Sequence, residues 1–281
     1  MKSIFLFGPF TGSLSWEFYR FAPHAIFMKK IYPKIKIAVL TRSERFDLYG
    51  QYADFLLPLK IKEDNVQNQV CFKLRDFKTS EYDKLVRQFK SMYGKRFDVE
   101  KHYYPDIIDY RYKLRWQFSK SRMNYDFRPR NKNIETIRTI LPKKPFILVT
   151  PPYNTNFMQI LSSCIIKNKL HKKYLFLTYD EYGGTFKNIN NIPINKNVSK
   201  IGYLIEIIKR SRLVIGPKSD LTHLSLLLKC PVISWGDKTN LNLINPFDTR
   251  IVLYNNIPDS IEKDILEELK MKKNREIYNC I

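Results

Sequence analysis

Short apolar runs alternate with helical apolar stripes at the start of the chain. The runs Ile4 to Phe7, Ile35 to Leu40 and Ala53 to Pro58 have the length and composition of buried strands. Residues 16–31 lie between the first two runs and carry apolar side chains at helical spacing. Because the connections are short, this order predicts a parallel crossover unit whose functional loop follows the first strand.

The same alternation returns in the second half of the chain. Helices are predicted over residues 157–169, 200–210 and 219–228, and a polar helical tail over residues 261–277. Apolar runs flank these helices and predict a second parallel sheet, with strands at residues 146–150, 174–178, 213–215, 231–234 and 251–254. Two α/β halves therefore enclose a middle segment of different character.

The middle segment, about residues 60–142, is irregular, basic and aromatic. Residues 82–92 are predicted to be helical, and period-two alternation over residues 110–120 predicts a half-buried strand with a basic outer face. The segment is either an insertion whose aromatics fill a small core while its basic side chains are solvated, or a surface for phosphates or bases. On the second interpretation the candidate polyanion-binding residues are Arg111, Lys113, Arg115, Arg122, Arg128 and Arg130.

The charge of the whole chain extends this picture. The 281 residues include 49 Lys and Arg against 27 Asp and Glu, a formal net charge of +22. An apolar content of 44% indicates packed cores rather than a disordered chain. A coding genome rich in AT pairs would raise the lysine content, but it explains only part of the excess. The rest indicates a polyanionic partner, either nucleic acid or an anionic membrane surface.

Cysteine spacing and the absence of long apolar stretches indicate the compartment. The four cysteines, at positions 71, 164, 230 and 280, have neither CxxC spacing nor a nearby histidine pair. They predict no zinc site and no disulfide framework, and so a reducing compartment. The first apolar run is too short for a signal peptide, and no stretch reaches transmembrane length. We expect a cytoplasmic protein, in the host cytoplasm if the chain is viral.

Residues 200–237 carry the candidate ligand site. Leu213 to Ile215 is a short strand closed by the turn Gly216-Pro217, and either Ser219 or Asp220 caps the helix that follows. Ligands of open parallel sheets bind where strands end, so a ligand is expected at this turn. The candidate residues are Gly216, Lys218, Ser219, Asp220, Thr222 and His223.

Two motifs together resemble the GT-B glycosyltransferases of the ADP-heptose:lipopolysaccharide heptosyltransferase type. The family's first motif has an Asp after a glycine-containing loop, a proline six residues later and an aromatic-Pro pair. Glu17, Pro23 and Tyr32-Pro33 stand in these places. The second motif is Gly-Pro-Asp-Ser-Gly with a His, then Gly-Thr-Pro-Val, and residues 216–223 and 229–232 match it. The match covers residues 1–58 and 145–237, and the middle segment is unmatched.

The resemblance implies a GT-B-like α/β fold, with two Rossmann-like parallel-sheet domains facing across a cleft. Residues 1–142 would form the N-terminal, acceptor-side domain with the basic aromatic insertion. Residues 143–260 would form the domain that binds the nucleotide-sugar. The C-terminal helix, residues 261–281, is expected to pack back on the N-terminal domain, as GT-B tails often do.

The resemblance also implies transfer of a sugar from a nucleotide-sugar donor to an acceptor hydroxyl. Glu17 stands in place of the family's Asp and would be the catalytic base, near the loop residues Gly12 and Ser13. No DxD-type motif stands at a strand end, so we expect no metal and no cofactor beyond the donor substrate.

The donor side of this chemistry would come from the second motif. The helix that begins near Ser219, together with Lys218, would stabilise the departing diphosphate, and His223 would hydrogen-bond a phosphate. Gly216 and Thr222 complete the expected donor site. Lys218 and Asp220 replace the family's Asp and Gly, which implies a different donor geometry.

The acceptor depends on what the positive charge serves. The charge and the basic aromatic segment favour a hydroxymethylated base in DNA, such as a viral genome would carry. The alternative is an envelope lipid or glycan, with the basic face on anionic membrane and the protein peripheral at the inner membrane. A third hypothesis, motivated by Lys218 and Asp220, is a non-catalytic nucleic-acid-binding protein on a degenerate GT-B scaffold. No obligate protein partner is inferred.

Overall fold

The computed structural model consists of two compact units. It describes residues 2–8, 10, 14, 17–59, 87–91, 97–103, 123–150, 155–178, 188–192, 200–236, 247–256, 258 and 261–271. The first unit comprises residues 1–133 and 199–202, and the second comprises residues 134–198 and 203–281. The division between the units falls at residue 133, inside a helix that the sequence pattern does not predict. The domain boundary after residue 142 stays a prediction.

Among the described residues, four parallel strands form the sheet of the first unit. They are Lys2–Phe7 (β1), Lys36–Thr41 (β2), Phe55–Pro58 (β3) and Phe97–Tyr103 (β4), in the order β3-β2-β1-β4. Each described pairing is parallel, which confirms the predicted crossover. The sequence pattern does not predict β4, because residues 97–103 are mostly charged or polar.

Helical segments connect these strands. A π-helical turn, Glu17–Phe21, leads into Ala22–Ile31 (α1), and a 3-10 helix, Ser43–Leu48, follows β2. Pro23 stands in the first turn of α1, directly after the π-helical turn. Aromatic rings pack beside β1, where Phe7 stacks on Tyr103 with ring centroids 4.5 Å apart.

Residues 123–130 have no regular secondary structure, but hydrogen bonds hold them in the first unit. The Asn124 N–H donates to Pro23 O over 3.0 Å, and the Gln51 N–H donates to Arg128 O over 3.1 Å. Burial by itself would raise the pKa of Asp126, but hydrogen bonds from Tyr52, Arg128 and Lys30 lower it to about 2. Asp126 is therefore charged at any ordinary pH and fixes this segment.

Two of the six candidate polyanion-binding residues lie in this segment. Arg128 and Arg130 are both exposed, and the Arg128 side chain forms an ion pair with Asp126 at 3.0 Å. Arg111, Lys113, Arg115 and Arg122 lie outside the described residues, as do the predicted strand 110–120 and the loop residues Gly12 and Ser13. A polyanion-binding role for these residues stays a prediction.

Among the described residues of the second unit, six parallel strands form one sheet. The strands are Phe146–Val149 (β5), Leu175–Thr178 (β6), Ile189–Asn191 (β7), Leu213–Pro217 (β8), Val232–Trp235 (β9) and Ile251–Tyr254 (β10). They lie in the order β10-β9-β8-β5-β6-β7 and each pairing is parallel. The five strands that the apolar runs predict are present. The sixth, β7, has the sequence Ile-Asn-Asn and carries no strand pattern.

Five helices described in or beside the second unit have the bounds Asn131–Ile140 (α2), Thr155–Lys167 (α3), Lys200–Arg210 (α4), Asp220–Leu227 (α5) and Glu262–Lys270 (α6). Part of the core lies between the sheet, α3 and α6, where Ile147, Ile215, Leu161 and Ile265 are fully buried. None of the described helices is both long and apolar enough to cross a membrane.

The C-terminal helix belongs to the second unit. Ile261, Ile265 and Leu269 enter the core of that unit at helical spacing. The apolar stripe of α6 is buried in the same core as residues of α3 and β10. Packing of the tail on the N-terminal domain stays a prediction. Residues 272–281 lie outside the described part of the chain.

Two lysines at helix ends adopt left-handed backbone geometry. Lys169, just after α3, has φ 53°, and Lys229, just after α5, has φ 59°. Glycine is the usual residue at such positions, because a Cβ atom in this conformation costs about 1 kcal/mol. Both lysine side chains are exposed. The chain therefore keeps charged residues at two positions where glycine would relax the backbone.

Gly50 is expected to tolerate no side chain. It has φ +38°, and a Cβ atom there would lie 1.7 Å from Arg128 O. We predict that Gly50→Ala lowers the free energy of unfolding by about 2–3 kcal/mol, because the 123–130 segment must move away. Denaturant unfolding measures this change. Ser43→Ala, at an exposed helical position nearby, should stay within about 0.5 kcal/mol of the parent protein, and equal losses for both variants would contradict the prediction.

Candidate active site

The predicted donor residues lie together at the carboxyl edge of the second sheet. β8 ends at Pro217, and the next N–H, that of Lys218, donates to Trp235 O at the end of β9 over 2.9 Å. α5 begins two residues later. In a parallel sheet this edge is where ligands bind. The structure thus places the stretch from Gly216 to His223 where the sequence analysis expects it.

A reciprocal cap fixes the start of α5. Ser219 is the N-cap, and its Oγ accepts a hydrogen bond from the Thr222 N–H over 3.4 Å. The Ser219 N–H donates to Thr222 Oγ1 over 2.9 Å. Of the two caps that the sequence allows, Ser219 is therefore the one used, and exposed Asp220 occupies the first helical position. The Thr222 hydroxyl is engaged in the cap, and its part in donor binding stays a prediction.

The residue that follows β5, Thr150, leaves no room for a side chain at Gly216. A Cβ atom at this position would lie 1.9 Å from Thr150 Oγ1. Thr150 and Ser234 are themselves buried hydroxyl residues, and among the described groups their oxygens have no hydrogen-bond partner. Because Gly216 pairs with Ser234 across β8 and β9, these residues form a polar row beside the cap. Their only signal in the sequence is a hydroxyl residue near the end of each apolar run.

His223 and Lys218 differ in charge at this edge. Burial, aided by the charge of Lys218, lowers the pKa of His223 to about 4. The imidazole is therefore neutral at physiological pH and can offer a hydrogen bond but no positive charge. Lys218 is half-buried and supplies the positive charge at the amino end of α5. The arrangement suits an anionic group bound beside the helix terminus.

Glu17 lies in the first unit, at the start of the π-helical turn, and is fully buried. Its Oε1 accepts hydrogen bonds from Thr41 Oγ1 over 2.5 Å and from Tyr49 OH over 2.6 Å. Its Oε2 accepts from Arg45 Nη1 over 2.9 Å. Thr41 ends β2, so the cluster lies at the carboxyl edge of the first sheet. In this conformation the carboxylate contacts three donors and no solvent.

Burial and the hydrogen-bond donors shift the pKa of Glu17 in opposite directions. Burial raises this pKa, and the charge of Arg45 with the hydrogen bonds from Thr41, Tyr49 and Arg45 offsets part of the rise. Burial and the neighbouring carboxylate also raise the pKa of Tyr49 well above its ordinary value, so Tyr49 remains a donor. The sequence pattern does not reveal these partners, because they lie 24 to 32 residues from Glu17 along the chain. The role of Glu17 as a base stays a prediction.

The similarity of this chain to known proteins lies in its fold. No family model and no curated protein matches the sequence. The fold is similar to that of the E. coli heptosyltransferase WaaC solved with ADP, with TM-score 0.58 and 11% identity over 95% of this chain and 99% of that chain. The fold is also similar to that of the E. coli ADP-heptose lipopolysaccharide heptosyltransferase II, with TM-score 0.56 and 11% identity over 96% of this chain and 97% of that chain. The glycosyl transferase family 9 protein from Veillonella parvula gives TM-score 0.54 and 12% identity over 97% of this chain and 90% of that chain.

These similarities extend over nearly the whole of each chain. They confirm the GT-B-like fold with two Rossmann-like domains, and they confirm the resemblance in fold to the heptosyltransferases. At identities of 11% and 12%, the similarity shows a common fold and does not show a common activity or substrate. Among the described residues, no group of three or more His, Cys, Asp and Glu side chains is arranged to hold a metal ion.

Arg45→Met is predicted to destabilise the protein more near neutral pH than in mild acid. The change leaves the Glu17 carboxylate buried without its cation, which costs about 3 kcal/mol while that group is charged. The raised pKa of Glu17 rises further without Arg45, so stability falls as the pH increases through the new value. Denaturant unfolding at several pH values measures this effect. The double variant Arg45→Met with Glu17→Gln should lose less than the sum of the single variants, and simple additivity would contradict the prediction.

His223 is predicted to titrate near its lowered pKa of about 4 in the folded protein. Stability should therefore decline as the pH falls from the ordinary value of 6.5 toward about 4, because only the unfolded chain takes up the proton readily. NMR titration of the ring measures the midpoint. Lys218→Ala should raise it but leave it below 6.5, since burial is the larger cause. Lys143→Ala, at the opposite edge of the sheet, should leave it unchanged, and a midpoint near 6.5 in the parent protein would overturn the assignment.

Proposed function

We propose that this protein is a glycosyltransferase that moves a sugar from a nucleotide-sugar to an acceptor hydroxyl. The observation that carries the proposal is a fold shared over almost the full chain with sugar transferases, one of them solved with ADP. The capped start of α5, at the carboxyl edge of the second sheet, supports a donor site there.

The residues at that edge suit a departing nucleoside diphosphate. Lys218 and the N–H groups at the start of α5 would stabilise the negative charge that develops as the sugar leaves. Neutral His223 would hydrogen-bond a phosphate oxygen without adding charge. Glu17 would take the proton of the acceptor hydroxyl after its carboxylate is released from one of its three donors. The chemistry as proposed uses no metal ion and no cofactor besides the donor.

The acceptor that the sequence favours is a hydroxymethylated base in DNA. The formal charge of +22 supports this proposal, and so do the exposed side chains of Arg128 and Arg130. The second candidate is an envelope lipid or glycan. One structural neighbour is an E. coli ADP-heptose lipopolysaccharide heptosyltransferase, which favours this alternative. On either proposal the protein works in the cytoplasm, at the inner membrane if its acceptor is a lipid.

A transfer screen tests the function and the acceptor together. The protein is incubated with a panel of nucleotide-sugars and either DNA containing 5-hydroxymethyl-pyrimidines or an envelope glycolipid extract, and mass spectrometry reports added sugar. We expect a mass gain on one acceptor class. Lys218→Ala should lower kcat/KM by about 100-fold, because it removes a charge that stabilises the leaving group. Lys34→Ala, at an exposed position of the first unit, should retain parent activity.

Glu17→Gln tests the base separately from the fold. If Glu17 is the base, the folded variant should lose about 100-fold or more in kcat. Parent-like transfer by a folded Glu17→Gln variant would show that another residue accepts the proton. Transfer to neither acceptor, together with tight salt-sensitive DNA binding, would replace the enzyme proposal by the non-catalytic, nucleic-acid-binding one.

A further inference from the structure

The amino edge of the second sheet lies opposite the candidate donor site. Because the strands run parallel, the residues before β5, β6, β8, β9 and β10 all lie along this edge. Backbone hydrogen bonds join these segments: Leu175 N–H to Pro145 O over 3.0 Å, Arg212 N–H to Phe146 O over 2.7 Å, and Val232 N–H to Arg250 O over 3.1 Å. Five neighbouring strands spread the edge over about 20 Å.

Exposed lysines line this edge, and we call this set of lysines the basic edge. Lys143 precedes β5, Lys169, Lys172 and Lys173 precede β6, and Lys229 precedes β9. The Lys144 side chain, which bonds His171 O over 2.9 Å, ties the segment before β5 to that before β6. These charges are therefore brought onto one side of the unit by the topology of the sheet.

Acidic groups near this edge are mostly engaged by other cations. Glu268 pairs with Arg250 at 2.7 Å, and Glu206 pairs with Lys209 at 3.7 Å. Both carboxylates are buried, and Glu262 pairs with Lys167 at 3.0 Å. Asp248 and Glu267 are exposed. Five exposed lysines therefore outnumber two exposed carboxylates along the edge.

Apolar side chains are exposed at the same edge. Among the described residues of the second unit, the large apolar side chains with high exposure are Ile166 at 44%, Phe247 at 38% and Met271 at 53%. Ile166 lies in the last turn of α3, and the Phe247 ring lies 4.6 Å from Lys229 Nζ. The Met271 carbonyl accepts a hydrogen bond from Arg212, just before β8. Apolar and basic groups thus occur along the same edge of the sheet.

Two of the lysines hold backbone positions that favour glycine. Lys169 and Lys229 both have left-handed φ values, at the ends of α3 and α5. Exposed Asp248, which precedes β10, has φ 50°, so this geometry occurs at charged residues of both signs along the edge. Glycine can replace Lys169 and Lys229 without backbone strain, so their two charges can be removed without loss of stability.

We propose that the basic edge, with Ile166, Phe247 and Met271, docks the second unit on an anionic lipid bilayer. The lysines would attract anionic head groups, and the apolar side chains would enter the interfacial layer of the membrane. Nucleic acid fits this surface less well, because bases stack on aromatic rings and two of the three apolar groups are aliphatic. The inference adds a surface that the proposed reaction does not use, and it deepens the envelope-acceptor alternative.

Vesicle binding by the full chain tests the inference. Co-sedimentation is measured with vesicles of phosphatidylglycerol and phosphatidylcholine, with vesicles of phosphatidylcholine alone, and, as a separate arm, with duplex DNA. We expect salt-sensitive binding to the anionic vesicles. Lys169→Gly with Lys229→Gly should weaken that binding about 30-fold. The melting temperature should not fall, because glycine relaxes both backbones.

A second variant separates lipid from other polyanions. Ile166→Ser with Met271→Ser should weaken vesicle binding about tenfold and leave duplex DNA binding unchanged. Lys34→Gln with Lys90→Gln, which removes two exposed charges from the first unit, is the control and should change vesicle binding less than about threefold.

Three outcomes would overturn the inference. They are no binding to anionic vesicles, an equal loss in the control, and loss of DNA binding in the lysine variant while the serine variant binds vesicles normally. The last outcome would assign the edge to nucleic acid. Since no sugar transfer is measured, failure here leaves the proposed reaction standing, and failure of the reaction leaves the docking surface standing.

Discussion

Parallel pairing of the described strands is the constraint on which both units depend. A parallel strand can follow another only after the chain has crossed back, so every carboxyl end falls on one edge and every amino end on the other. This separation gives the second unit two unlike edges. One carries the α5 cap with Lys218 and a neutral histidine, and the other carries exposed lysines and apolar side chains.

The sequence predicts elements well where the period of apolar residues is strong. β1, β2, β5, β8 and β9 are runs buried in sheets and stand out as such. β4 and β7 are not predicted, because their sequences are polar and each becomes a strand by pairing with a neighbour that lies elsewhere in the sequence. α2 escapes for a similar reason, since it follows an irregular basic stretch and few of its residues are apolar.

The two parts of the candidate site differ in the same way. The Gly216-to-His223 stretch is local, so a strand, a turn and a cap are enough to place it at the edge of the sheet. The surroundings of Glu17 are not local, because Thr41 and Tyr49 reach the carboxylate from the end of β2 and beyond. A motif therefore indicates which carboxylate to examine, and only the fold reveals that this carboxylate is shielded.

The contact between Gly216 and Thr150 changes what the glycine means. In many phosphate-binding loops, a glycine lets the bare backbone approach the ligand. At position 216 the missing side chain is replaced by the hydroxyl of the neighbouring strand, which occupies the space where a Cβ atom would lie. A group that approaches this face of β8 would contact the Thr150 hydroxyl, which follows β5. A change at either Gly216 or Thr150 would therefore alter the same contact surface.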